Sequence, residues 1–116
     1  MALTNQAHQD ASNAIANGFT WVSVHTGAGA GTTGANEASG GSYARKQIPG
    51  GTWSQNGSGL NTGGLVNVPV PTGTYTEGGL WSAVSAGTFR GSGAFGASVV
   101  VTGASASIDI TPTVSA

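Results

Sequence analysis

The sequence contains no cysteine and very little charge. Three Lys or Arg and four Asp or Glu make up 6% of its 116 residues, whereas an ordinary soluble domain carries about 25%. The absence of cysteine excludes disulfides and thiolate chemistry, and two histidines leave little material for a metal site. We therefore expect a fold that relies on its own hydrophobic core, with no metal and no cofactor.

Positive charge is also too sparse for a nucleic-acid partner. The net charge is -1 and the charged residues are scattered along the chain, so no basic stripe can form. No stretch approaches the roughly 18 apolar residues of a membrane span, and the first residues lack the pattern of a secretory signal. We expect a protein that is made in a cytoplasm and binds neither nucleic acid nor membrane. Its weakly charged surface favours burial against other chains.

The length is that of one domain, and the start of the chain predicts its only helix. Thr4 can act as the N-cap, and Asn17-Gly18 is a typical helix stop. The small side chains of Ala7, Ala11 and Ala14 fall on one face. The predicted organisation is an N-terminal helical segment, 1–18, followed by a single β-sandwich domain, 19–116.

From Phe19 onward the pattern has a period of two, which is typical of β-strands. On the first strand Trp21, Ser23 and His25 share one face and the valines share the other. Short strands of this kind recur about every ten residues, separated by glycine-rich turns. The further predicted strands are Ser42–Ile48, Leu65–Val70, Gly79–Ser85, Thr88–Gly91, Phe95–Thr102 and Ala106–Val114. The fold class is all-β: an antiparallel β-sandwich, immunoglobulin-like or jelly-roll-like, with one short N-terminal helix.

Two segments between these strands read as irregular. Gly27–Gly41 is too polar to pack and too long for a hairpin turn, so we expect an exposed loop, either a slack connector or a contact loop. Asn56–Gly64 is a second glycine-rich stretch, which follows an isolated Trp53. We expect Arg45-Lys46 to be a solvated basic pair.

Candidate catalytic groups are few and poorly matched. His8 and His25 are the only imidazole bases, no serine lies in a G-x-S-x-G elbow, and the four carboxylates are scattered. Gly27–Gly31 lacks the lysine and the following helix of a phosphate-binding loop. We expect no enzyme, with no catalytic, cofactor-binding or metal-binding residue.

Contact residues are easier to nominate. Trp21 and Trp81 are expected in the core, since aromatics at strand positions in a small domain are usually buried. Trp53 and Tyr75 are candidates for an exposed or glycan-binding surface. The candidate interface residues are Ala7, Ala11, Ala14, Trp53 and Tyr75.

Several motifs occur in order after residue 20: Trp21–Thr26, Gly31–Glu37, Gly40–Arg45, Gly79–Ala83 and Gly87–Gly91. Together they resemble small virion structural proteins of tailed actinobacteriophages, a group that includes minor tail, tail-fibre-like and head-decoration β-sandwich proteins. The resemblance implies a non-enzymatic protein located on the virion.

The leading hypothesis is a capsid decoration protein that binds the major capsid lattice, and the first alternative is a minor tail or tail-tip protein bound to other tail proteins. The alternative of another class is a carbohydrate-binding module for host surface glycans. A homo-oligomer is expected in the structural roles.

Overall fold

A computed structural model describes all 116 residues, which form one α-helix, nine strands and one 3-10 turn, Pro49–Gly51, between the second and third strands. The elements are α1 Asn5–Ala16, β1 Trp21–Thr26, β2 Lys46–Gln47, β3 Trp53–Gln55, β4 Leu60–Gly63, β5 Val66–Val70, β6 Gly73–Trp81, β7 Phe89–Val101, β8 Ala106–Ile110 and β9 Thr113–Ser115. The prediction of an all-β antiparallel fold with one N-terminal helix is confirmed. At 12 residues, the only α-helix is too short to cross a membrane.

The strands form three antiparallel sheets, ordered β2-β1-β6-β7, β3-β4-β9 and β5-β8. Strand β5 of the two-stranded sheet packs against β1 and β2, which gives the fold its sandwich-like core. Val22 and Val24 on β1 meet Val66, Val68 and Val70 on β5 in this core. The two-stranded sheet β5-β8 is narrower than the four-stranded sheet, so the β7 side of the four-stranded sheet is less covered.

Alternation along β1 is as predicted. Val22 and Val24 lie in the core, and Ser23 and His25 project to the opposite face. Ser23 and His25 are nevertheless completely buried, because another part of the chain covers that face.

Several predicted strand boundaries are wrong, and glycine is the common reason. Leu60–Gly63 is a strand inside the stretch expected to be irregular, and it pairs with both β3 and β9. Trp53 is therefore not isolated, since it lies on β3 opposite Gly63. Only Lys46–Gln47 of the predicted strand 42–48 pairs with β1. Backbone pairing determines whether these segments are strands, and the periodicity of the side chains does not predict that pairing.

Strand β7 is longer than expected, whereas the predicted strand Ala106–Val114 is divided into β8 and β9. Strand β6 begins at Gly73 and ends at Trp81, whereas the prediction was Gly79–Ser85. Phe89–Val101 is one strand, whereas the sequence indicated two. Ala94 of β7 pairs with Glu77 of β6, and the next pair is Val99 with Tyr75. The four residues between Ala94 and Val99 therefore form a large bulge. The glycines and alanines of this region concealed the continuity of the strand.

Helix α1 has the predicted ends but packs through a different face. The Thr4 hydroxyl accepts a hydrogen bond from the Ala7 N–H, and Asn17 is the C-cap. The buried residues are Gln9, Ser12 and Ala16. Periodicity of apolar residues did not identify this face because polar contacts hold the helix.

Those contacts connect α1 to the sheet β3-β4-β9 and to the turn between β3 and β4. The Ser12 hydroxyl donates to the Val114 carbonyl oxygen at 3.0 Å and accepts from Asn61 Nδ2 at 2.7 Å. Gln9 Oε1 accepts the backbone N–H groups of Gly57 at 2.8 Å and Gly59 at 3.1 Å. The helix therefore satisfies backbone and side-chain groups that would otherwise lack partners.

We expect Gln9→Ala to destabilise the protein by about 1–3 kcal/mol, because the buried Gly59 N–H loses its acceptor. Gln6→Ala is the matched control: Gln6 is exposed and bonds only to Asp10 on the same helix, so its effect should stay within about 0.5 kcal/mol. Urea denaturation of both variants measures the difference. Equal effects would contradict the polar docking of α1.

Candidate functional site

The candidate site is the outer face of β1 and β6, where the segment Gly27–Gly41 folds back over the sheet. The Thr26 N–H donates to the Asn36 carbonyl and the Ala38 N–H to the Val24 carbonyl, both at 2.9 Å. Ala30 is 0% exposed and Ala38 is 7% exposed. The loop is exposed over most of its length, as expected. The expectation that it is too polar to pack is wrong, because small side chains and a hydrogen-bonded backbone let part of it pack closely against the sheet.

Two glycines show how closely this loop approaches the sheet. Gly34 has a φ of +76°, and a Cβ there would lie 2.5 Å from Cζ2 of Trp81. Gly29 has a φ of +81°, and a Cβ there would overlap the carboxylate of Glu77. Both positions need glycine for its backbone angle and for its lack of a side chain.

Arg45 is the centre of the site. Its Nε and Nη2 donate to the two carboxylate oxygens of Glu37, each at 2.8 Å. Its Nη1 donates to the carbonyl oxygens of Ala83 at 3.1 Å and Ala86 at 2.7 Å. Its Cζ lies 3.5 Å from the centroid of the Trp81 ring, which is cation–π geometry. We call this set of contacts the Arg45 clamp.

The predicted solvated pair Arg45-Lys46 is therefore wrong for Arg45, which is 7% exposed, and right for Lys46, which is exposed. The planar fork of a guanidinium satisfies a carboxylate and two carbonyls at once, and this makes its burial possible. Sequence reasoning missed the clamp. The available signal was one Glu and one Arg, eight residues apart, in a segment otherwise nearly free of charge.

Ionisation at the clamp follows from its partners. Burial alone would raise the pKa of Glu37, but hydrogen bonds from Arg45 and Tyr43 and the positive charge of Arg45 outweigh it, so that this pKa is lowered from its ordinary value. Burial and the hydrogen bond to Glu37 raise the pKa of Tyr43. The Tyr43 hydroxyl therefore stays protonated and donates to Glu37 Oε2 at 2.7 Å.

A second hydrogen-bonded chain lies beside the clamp. His25 Nδ1 is 2.7 Å from the Ala35 carbonyl oxygen, which can only accept, so we assign the imidazole proton to Nδ1. His25 Nε2 then accepts from the Ser23 hydroxyl at 2.7 Å, and Ser23 Oγ accepts from Trp81 Nε1 at 2.9 Å. Every polar atom in this chain has a partner.

This Ser23–His25 pair has the spacing of a nucleophile and its base, but its setting is different. Both residues are 0% exposed, and the third partner of the imidazole is a backbone carbonyl rather than a carboxylate. A Cβ at Gly79 would lie 2.6 Å from Ser23 Oγ, so the neighbouring strand also closes over the pair. The arrangement orders the sheet and its covering loop.

The nominated contact residues are spread over the fold and do not form one site. Ala11 and Ala14 are exposed on α1, and Ala7 is half-buried. Trp53 is half-buried against the core, with its Nε1 atom buried and unpaired. Tyr75 is 2% exposed and donates to the Pro71 carbonyl at 2.6 Å, so its nomination as a surface residue is corrected. Thr76 has no partner in the register of β6 with β1 or with β7, and this irregularity places Tyr75 on the core face that Leu80 also shares.

Comparison with known protein families gives one match. The family model described as Podophage GP4 fiber I protein gp80 matches residues 2–113, from the segment before α1 to the start of β9. A search among curated proteins found no relative.

The lowered pKa of Glu37 predicts a pH-dependent part of the stability. A carboxylate with a depressed pKa in the folded state adds stability above its unfolded value, ordinarily 4.5, and loses it as the pH falls toward the folded pKa. We expect wild type to exceed Glu37→Gln in free energy of unfolding at pH 7, and the difference to shrink below pH 4.5. Denaturation series at several pH values measure it. A difference that stays constant down to pH 3 would contradict the ionised Glu37–Arg45 pair.

Proposed function

Since the chain belongs to the family of the podophage GP4 fiber I protein gp80, we propose that it is a structural subunit of a fibre-type appendage on the exterior of the particle. The observation that carries the proposal is the extent of the match, residues 2–113, which includes the helix and all three sheets. A virion structural role, with other virion proteins as partners, follows from the family. The place on the virion and the number of copies are the proposed part.

The distribution of charge supports a subunit that is packed among others. Glu37 and Arg45 neutralise each other inside the clamp, and Glu77 is half-buried beneath the loop. The charged side chains left on exposed positions are Asp10, Lys46, Arg90 and Asp109. A surface with so few hydrated ions loses little on burial against a neighbour. The extents of 48 × 28 × 25 Å describe an elongated unit that suits repetition along an appendage.

The family description favours the appendage over the capsid lattice. Capsid decoration, with the major capsid protein as partner, was the first expectation from sequence, and it is now the competing placement. An origin in an actinobacteriophage stays an expectation. We propose a homo-oligomer, and the exposed Ala11 and Ala14 on α1 stay predicted contacts in it.

Two other classes receive less support from the geometry. A glycan platform of Trp53 and Tyr75 would need exposed ring faces, and Tyr75 is in the core. A serine hydrolase built on Ser23 and His25 would need an accessible nucleophile, and Ser23 is 0% exposed. We propose that the protein has no catalytic activity.

A reconstruction of the intact particle tests the proposal directly. We expect density for the 48 Å long unit in an appendage, in copies related by the symmetry of that appendage. Particles from a phage lacking the gene provide the control, and they should lose that density alone. Density over the capsid lattice instead would establish decoration and contradict the fibre-type placement.

A further inference from the structure

One groove of the molecule has side chains along its sides and mainly glycine backbone at its base. It lies between strands β6 and β7 and the segment Ile110–Ser115, and its volume is about 380 Å³. Gly91 pairs with Leu80 and Gly93 with Gly78, so these two glycines of β7 face inward with their partners. A Cβ built at either glycine meets no atom within 4 Å. The groove is therefore an open space at the edge of the sandwich, where Gly93 is exposed.

Apolar side chains lie on two sides of this groove, beside polar ones that include Arg90 and Thr111. Leu80 and Phe95 line one side, and Ile110 and Val114 line the other. Ile15, in the last turn of α1, lies at its border. An apolar side chain placed above Gly91 and Gly93 would gain contacts on both sides.

The edge of β7 next to the groove is also open. Strand β7 is the last of the order β2-β1-β6-β7, so one row of its backbone N–H and C=O groups has no strand partner. Soluble proteins usually protect such an edge with lysine, proline or a bulge. Here the bulge lies beyond Ala94, and the stretch from Gly91 to Ala94 has neither charge nor proline. These four residues remain available to an added strand.

The same chain carries an apolar segment with no packing partner. Met1 and Leu3 are among its few exposed large hydrophobic residues, and Leu3 is 56% exposed. They alternate with the smaller Ala2 and Thr4, and Thr4, the N-cap of α1, has extended backbone angles, φ -73° and ψ 162°. Large apolar side chains at every second position suit a strand with one buried face.

Leu3 cannot reach the groove of its own molecule beside Ile15. Leu3 lies two residues before α1, and Ile15 lies ten residues beyond the first residue of the helix, about 15 Å at 1.5 Å per residue. Two extended residues span only about 7 Å. Leu3 can therefore enter this groove only in another molecule.

We propose that the segment Met1–Thr4 of a second copy of this chain adds as a short strand to β7 along Gly91–Ala94, with its Leu3 side chain in the groove above Gly91 and Gly93. Main-chain hydrogen bonds to the open edge would hold the segment, and the space left by the two glycines would select the leucine. The contact joins two different surfaces, so it links copies head to tail into a ring or a chain. A single contact of this size is weak, and repetition in the assembly adds avidity.

Disulfide trapping tests the contact cleanly because the chain has no cysteine of its own. Leu3→Cys and Gly93→Cys are prepared as separate proteins, one carrying a mass tag, then mixed and oxidised. Gly91→Cys serves as a second groove variant. The matched control replaces Leu3→Cys by Leu65→Cys, since both leucines are 56% exposed. The mixed disulfide should exceed the control by about tenfold or more, because binding raises the effective concentration of the two thiols. A yield equal to the control with both groove variants would overturn the proposal.

Filling the groove provides an independent measurement. Gly93→Leu has room for its side chain within the same molecule, so the variant should keep its circular dichroism spectrum and lose self-association in sedimentation velocity. Unchanged self-association would overturn the contact between copies. Unchanged self-association with reduced incorporation into particles would assign the groove to a different virion protein. Both measurements use the purified chain, so their outcome is separate from where the protein sits on the particle.

Discussion

The Arg45 clamp is the interaction on which the rest of the structure depends. One guanidinium joins Glu37 of the covering loop, the backbone carbonyls of the turn between β6 and β7, and the ring of Trp81. A charge that is 7% exposed is tolerated only when its donors are satisfied, and removing one partner leaves the other buried and unpaired. Ala86, a non-glycine residue with a φ of 51°, is held in that backbone conformation through its carbonyl bond to Arg45. The loop, the sheet face and the turn therefore behave as one unit.

This use of charge explains the unusual composition. The two residues of the ion pair, Glu37 and Arg45, bind each other inside the fold. Gln9 and Ser12 likewise form hydrogen bonds with buried backbone groups. Exposed positions then carry very little charge. The glycines have two separate roles: Gly29 and Gly34 allow the loop to touch the sheet, whereas Gly91 and Gly93 leave space that no atom of the chain occupies. The first role stabilises the molecule, and the second leaves room for the Leu3 side chain of the proposed second copy.

The sequence predicted the fold class, the bounds of α1 and the two faces of β1, because capping residues and alternating side chains report directly on local structure. It did not predict β4 or the full length of β7, where glycine and small residues give no periodic signal. It predicted an exposed Arg45, because an isolated arginine is usually exposed. Arg45 is buried because it binds backbone carbonyls of the turn after β6, which is distant in the sequence. Likewise, Tyr75 is buried because its own strand is irregular at Thr76, and no property of Tyr75 itself predicts that irregularity.

Hydrogen exchange in an Arg45→Lys variant tests most directly whether the clamp holds the covering loop. Lysine keeps the positive charge but cannot form the fork that binds a carboxylate and two carbonyls together. The account predicts that the amide protons of Thr26 and Ala38, which join the loop to β1, exchange about tenfold faster or more, while those of β5, on the opposite face of β1, are unchanged. Unchanged exchange at Thr26 and Ala38 would show that the loop is held without the clamp, and would contradict the account.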